Sequence, residues 1–212
     1  MGAAKAIAAG VEKGHSAENP GYWIHVSGTG KASCGFLIST LIQTKLIHSG
    51  ILCWKDQETQ ILGEAPHQPP YNDLEGVADL TGLPDKAWHR EIDKAVLAAG
   101  SDSVKTAIVC PPTIYGPGRG PGNKKSRQVY VLAEMALKRG QTPILGKGLT
   151  EWDNVNIHDL SDLFVLLVEV AIKSKAGETK DIDAELWNER GYFLAENGHQ
   201  YVIALIIPRT IY

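Results

Sequence analysis

The sequence has little cysteine and no excess of positive charge. Cys34, Cys53 and Cys110 are the 3 cysteines of a 212-residue chain. Odd in number, widely spaced and without CxxC or paired His/Cys spacing, they argue against a disulfide scaffold and against a metal site. Lys and Arg total 21 against 24 Asp and Glu. The totals therefore hold nothing to neutralise a phosphate backbone, and nucleic acid is not an expected partner. A membrane-spanning run is also missing, because Gln43, Lys45 and His48 break the most apolar stretch, Phe36 to Trp54. The first twenty residues have no apolar signal core, since Glu12, Lys13 and His15 arrive too early. Ala6 stands where a myristoylation motif after Gly2 requires Ser or Thr. These absences predict a cytoplasmic protein that is neither secreted nor anchored. With 43% hydrophobic and 21% charged residues, and with no repeat, low-complexity segment or linker, residues 1–212 read as a single domain.

What is present is an alternation of strand and helix signals. Residues 3–13 have helix-forming composition, and Asn19-Pro20-Gly21 punctuates before a strand from Tyr22 to Val26 that enters the turn Gly28-Thr29-Gly30. Residues 55–84 are polar and turn-rich, which predicts a long surface loop. Leu83-Pro84-Asp85 opens a helix from Lys86 to Ala99 that Gly100 stops. Val104 to Cys110 is a β-rich run ended by Pro111-Pro112. Beyond the glycine-rich loop 116–122, helices are expected from Val129 to Lys138 and from Asp159 to Lys173. The second is apolar at Leu163, Leu166, Leu167 and Val170 and N-capped by Asp159. The tail GYFLAENG reads as strand and turn. This order predicts an α/β protein with a mostly parallel sheet.

The run VKTAIVCPPTIYGPGRG, a strand followed by Pro and then Tyr-Gly-Pro, resembles the late strand of the extended short-chain dehydrogenase/reductases, the NAD-dependent epimerase/dehydratase group. YWIHVSGTG resembles that family's strand ending in an active-site Ser/Thr cluster. WDNVNIHDLSDLFVLLVEVA resembles its later strand-to-helix segment with a characteristic Asp, here Asp159. The three matches occur in order across residues 21–200. The resemblance implies a Rossmann-like doubly wound sheet with a small C-terminal substrate lobe, supplied here by residues 116–148 and 174–200. It further implies NAD or NADP as cofactor and a small-molecule substrate. A homodimer is the expected assembly.

Carried over by position, Ser27 and Thr29 fall in the Ser/Thr cluster, with Thr29 the better match for the hydroxyl that holds the reacting oxygen. Pro111, Thr113 and Ile114 fall where the family lines the nicotinamide. Arg119, Asn123, Lys124 and Arg127 fall where its substrate loop begins.

The chain departs from the family in two places. No YxxxK occurs, and the aligned helix reads WHREIDK, with His89 at the Tyr position and Asp93 at the Lys position. Two readings stand: an acid/base pair, because residues four apart share a helix face and a carboxylate charges an imidazole, or an exposed ion pair. The glycine fingerprint that lets backbone approach a pyrophosphate is also missing. The expectation is therefore an N-terminally truncated member, an incomplete Rossmann-like sheet in which cofactor binding is in doubt and one sheet edge lacks its cover. Residues 31–50 read as an insertion, a translated intron by hypothesis, with Gly30-Lys31 compatible with a splice donor. Mature transcript containing the segment would refute this. The terminal YVIALIIPRTIY raises the same suspicion.

Other motifs have plainer readings. GPGRGPGNKK is either a phosphate cradle or a solvated turn, without Walker spacing. His25 reads as a core histidine and Cys110 as a small core residue. The functional expectation is an NAD(P)-dependent reductase or epimerase relative with a degenerate catalytic motif. The alternatives are a non-catalytic nucleotide-sensing or interaction module and a truncated product without function.

Overall fold

The computed structural model describes residues 2–28, 71–87, 89–141, 147, 149, 151–179, 181–197 and 199–201. Thr29, the insertion expected at 31–50 and the tail from residue 202 lie outside them. The elements are α1 (Gly2–Gly14), β1 (Gly21–Val26), α2 (Val77–Thr81), α3 (Arg90–Ala99), β2 (Val104–Cys110), β3 (Thr113–Tyr115), α4 (Arg127–Arg139), β4 (Glu151–Asn156), α5 (Ile157–Ala176), α6 (Asp183–Leu186), a 3₁₀ turn (Asn188–Arg190), β5 (Tyr192–Leu194) and β6 (His199–Tyr201).

β1, β2 and β5 form a parallel sheet in the order β1-β2-β5, with Trp23 opposite Thr106 and Ile108 opposite Tyr192. β2 is the middle strand, and Ala107, Ile108, Val109 and Cys110 have no exposed surface. Both its faces are covered, which is why Ala107 to Cys110 is a continuous apolar run rather than an alternation. On one face Trp23, Ile108 and Tyr192 pack with Ala4 of α1, Leu80 of α2 and Val96 of α3. On the other, Val109 meets Leu160 and Leu167 of α5, and Ala107 meets Ala171 and Trp187. The chain is thus α/β, with helices on both sides of a parallel sheet, a partial Rossmann-like arrangement. Among the described residues no strand pairs with the second edge of β1. A smaller sheet, β3-β4-β6, pairs β3 with β4 in parallel and β4 with β6 antiparallel.

Two helix starts and one apolar face differ from the sequence reading for local reasons. The helix expected from Lys86 starts at Arg90, because a turn closed from Ala87 N–H to the Pro84 carbonyl precedes it and His89 holds φ at 64°. α5 starts at Ile157, and its N-cap is Asn156, whose side chain accepts from the His158 amide at 2.9 Å. Asp159 lies in the first turn, where its charge favours the helix N-terminus without capping it. Leu166, expected on the apolar face, is 57% exposed, while Leu167 is buried. Gly191 is demanded by close packing: a Cβ there would stand 2.6 Å from the Thr106 carbonyl, so only glycine lets β5 meet β2 and bring Tyr192 into register.

Candidate functional site

The parallel sheet presents the carboxyl ends of β1 and β2 together. The Ser27 amide, just beyond β1, donates to the Val109 carbonyl at 2.7 Å, so Ser27 and Gly28 sit beside Cys110 and Pro111. Open α/β sheets bind ligands at such strand ends. α3 packs against β2 and delivers His89 and Asp93 to this end.

Asp93 is 1% exposed. Its Oδ2 accepts hydrogen bonds from Ser27 Oγ at 3.2 Å and from the Tyr192 hydroxyl at 3.3 Å, while Oδ1 has no partner among the described residues. Tyr192 also lies 3.7 Å from the Cys110 sulfur. Burial raises the Asp93 carboxyl to about 6, opposed by the hydrogen bonds from Ser27 and Tyr192 and by the Arg90 charge. Burial likewise pushes the Cys110 thiol to about 12, so it stays protonated, and drives the Tyr192 phenol above its usual range. The reading of Cys110 as a core residue agrees with this.

His89 precedes α3 in the left-handed region, and its carbonyl accepts from the amides of Ile92 and Asp93. Its Nε2 is buried without a partner among the described residues. Desolvation lowers its pKa, and that of His25 is lowered by desolvation and by the His89 charge. His25 is half-buried and edge-on to Trp23, with centroids 6.1 Å apart. Arg90 fixes the approach to the helix: Nε donates to the Leu83 carbonyl at 2.8 Å and Nη2 to the Thr81 carbonyl.

His89, at positive φ, is the N-cap of α3, and the Asp93 carboxylate takes its hydrogen bonds from Ser27 and Tyr192. An exposed ion pair is excluded by the burial of Asp93. Ser27 and Asp93 are the two candidate residues brought into hydrogen-bonding contact. The sequence reading missed Tyr192, whose only signal was a lone hydroxyl in the apolar run after Gly191.

The other candidates are dispersed. Pro111, just beyond β2, and Thr113, the first residue of β3, are buried, and Ile114 packs with Val109 and Val155 in the core. Arg119, Asn123 and Lys124 are exposed, on a loop that bonds to itself through Gly118 N–H to the Lys124 carbonyl and Asn123 to Lys125. Arg127 is the first residue of α4, N-capped by Ser126. Asn123 also lines a shallow groove of about 620 Å³ along α4, with Lys125, Ser126, Tyr130 and Glu134. Among the described residues no helix is long and apolar enough to cross a membrane.

Residues 86–182 match the model of the NAD dependent epimerase/dehydratase family. A curated protein named Oxidase ucsJ, from Acremonium sp, is 34% identical over 168 residues, which make up 77% of this chain and 46% of that protein. No solved structure matches the chain. Over residues 86–182 the chain is thus similar to the NAD-dependent epimerase/dehydratase family, and its parallel sheet agrees with that likeness. It spans about half the length of the curated relative it matches.

The family implies a nucleotide cofactor. The strand ends at Ser27-Gly28 and Cys110-Pro111 lie side by side, at the edge where open α/β sheets bind ligands. Among the described residues none forms the glycine-rich strand-to-helix turn that holds a pyrophosphate.

Proposed function

We propose that this chain works as an NAD(P)-dependent oxidoreductase or epimerase relative on a small carbonyl or hydroxyl substrate bound at the carboxyl ends of β1 and β2. The observation that carries this reading is the 3.2 Å hydrogen bond from Ser27 to Asp93, which ties the hydroxyl at the strand end to α3, whose N-cap is His89. A bound nicotinamide dinucleotide supplies the hydride acceptor or donor. Ser27, with Thr29, holds the substrate oxygen. His89 is the proton carrier: its lowered pKa leaves the imidazole neutral at pH 7, the form that accepts a proton. Pro111, Thr113 and Ile114 are the residues that would line a bound nicotinamide. Arg119, Asn123, Lys124 and Arg127 attract the substrate's anionic or polar groups.

The lack of a pyrophosphate turn among the described residues favours a second reading, a nucleotide-sensing module without turnover. Thermal unfolding with and without millimolar NAD(H) or NADP(H) separates the two, because a ligand bound only by the folded state raises the melting temperature. The enzyme reading requires a shift together with turnover that His89→Ala removes while folding is retained. A shift without turnover supports the sensor, and a transition indifferent to both nucleotides refutes both readings. Absence of a cooperative transition would mark a fragment.

A further inference from the structure

The hydroxyl of Ser27 is held by a carboxylate that the family resemblance assigned to a different task. Ser27 is part-buried at the carboxyl end of β1, and its Oγ–H points to Asp93 Oδ2 at 3.2 Å. The same oxygen takes the Tyr192 hydroxyl at 3.3 Å from the far strand of the sheet. Tyr192 is 1% exposed, so its ring cannot swing away without opening the core. The groups facing Asp93 are therefore Ser27 beyond β1, Cys110 from β2, Tyr192 from β5 and Arg90 from its own helix. From α1, Ala4 and Ala8 pack against this core.

We propose that Asp93, locked by Tyr192, is a positioning residue that sets the hydrogen-bond polarity of Ser27 toward the substrate. While Asp93 is ionised it can only accept, so it draws the Ser27 proton inward and Ser27 Oγ faces outward with its lone pairs. A hydroxyl substrate, a donor, is then the preferred occupant. Once Asp93 is protonated, its own O–H satisfies Ser27 Oγ and the Ser27 proton turns outward to a carbonyl oxygen. No bond to carbon changes in this switch: one proton joins Asp93 from solvent, and the Ser27 proton only rotates. The carboxyl titrates near neutrality rather than far below it, which puts both polarities within ordinary pH.

The proposal rests on the functional reading for its substrate but not for its test. Infrared titration of the ligand-free chain follows the carbonyl band of the protonated carboxyl, assigned by its loss in Asp93→Asn. Ser27→Ala and Tyr192→Phe each remove a donor to the ionised form and are expected to raise the midpoint by about half a pH unit or more. Ser27→Thr, which keeps the hydroxyl, is expected to retain the native midpoint and guards against a packing effect. An unmoved midpoint in Ser27→Ala would overturn the proposal, as would a band unaffected by Asp93→Asn. With a nucleotide and a substrate in hand, the ratio of alcohol to carbonyl affinity should rise with pH through the same midpoint in the native chain and stay flat in Asp93→Asn. A chain that lacks turnover but shows the infrared shifts would refute the enzyme reading and leave the Ser27–Asp93 device standing.

Discussion

The Tyr192 hydroxyl donates to Asp93 across 99 residues of sequence at 3.3 Å, joining the far strand of the parallel sheet to the helix packed over it. The bond closes a buried chain of Ser27, Asp93, Tyr192 and Cys110. Each group would be costly to bury alone, and together they meet most of one another's hydrogen-bonding needs.

Stability should fall as pH rises through the titration of Asp93. Its folded pKa, about 6, lies above its value of 3.8 in an exposed chain. The contribution is then fully present below about pH 4 and lost as pH climbs through about 6, because the folded state holds the proton longer than the unfolded one. The loss is at most about 3 kcal/mol. Urea unfolding at a series of pH values should show it in the native chain and a flatter profile in Asp93→Asn. Identical profiles would contradict the assignment.

Tyr192→Phe should destabilise the fold by about 1–3 kcal/mol, since it removes a donor from a buried carboxylate while keeping the ring. The loss should be larger at pH 7 than at pH 4, because the hydrogen bond favours the ionised form. A pH-independent loss in chemical denaturation would instead indicate repacking.

His89 adopts a left-handed backbone at φ 64°. His89→Gly should therefore be about 1 kcal/mol more stable than His89→Ala, which keeps the strained φ without the imidazole. Comparing the two variants by thermal unfolding tests the backbone geometry. Turnover, absent in both under the enzyme reading, tests the side chain separately.

Asn156→Ala should cost about 1 kcal/mol by uncapping α5. Asp159→Ala should cost less, about 0.3–1 kcal/mol, because only its charge near the helix N-terminus is lost. Equal costs would restore Asp159 as the cap.

Behind α5, Ser174, Thr179 and Asp183 form a hydrogen-bonded triangle, with the Asp183 carboxylate accepting at 2.6 Å from Ser174 and 2.8 Å from Thr179. The indole N–H of Trp187 points to Ser174 at 3.4 Å, and its ring meets Tyr22 edge-on. Asp183→Ala should cost about 1–3 kcal/mol by unpairing two part-buried hydroxyls. Trp187→Ala should cost about 3–5 kcal/mol. Denaturant midpoints within error of the native chain would show the triangle to be dispensable.

β1, β2, β5, most of the helices and the class of fold were legible in the sequence alone. Ala107 to Cys110 is apolar throughout because a central parallel strand is buried on both faces, and Gly140 stops α4 by taking positive φ. These signals are local, so they are legible in one dimension. What only the tertiary structure decided is which groups meet. Asp93 has His89 four residues away, and helix periodicity made them partners. His89 is instead the N-cap of α3, at positive φ, and the sheet brought Ser27 and Tyr192 to the carboxylate from 66 and 99 residues away. A buried carboxylate must take whatever donors the fold delivers, and their delivery depends on strand order and on Gly191, where β5 closes onto β2 with no room for a side chain.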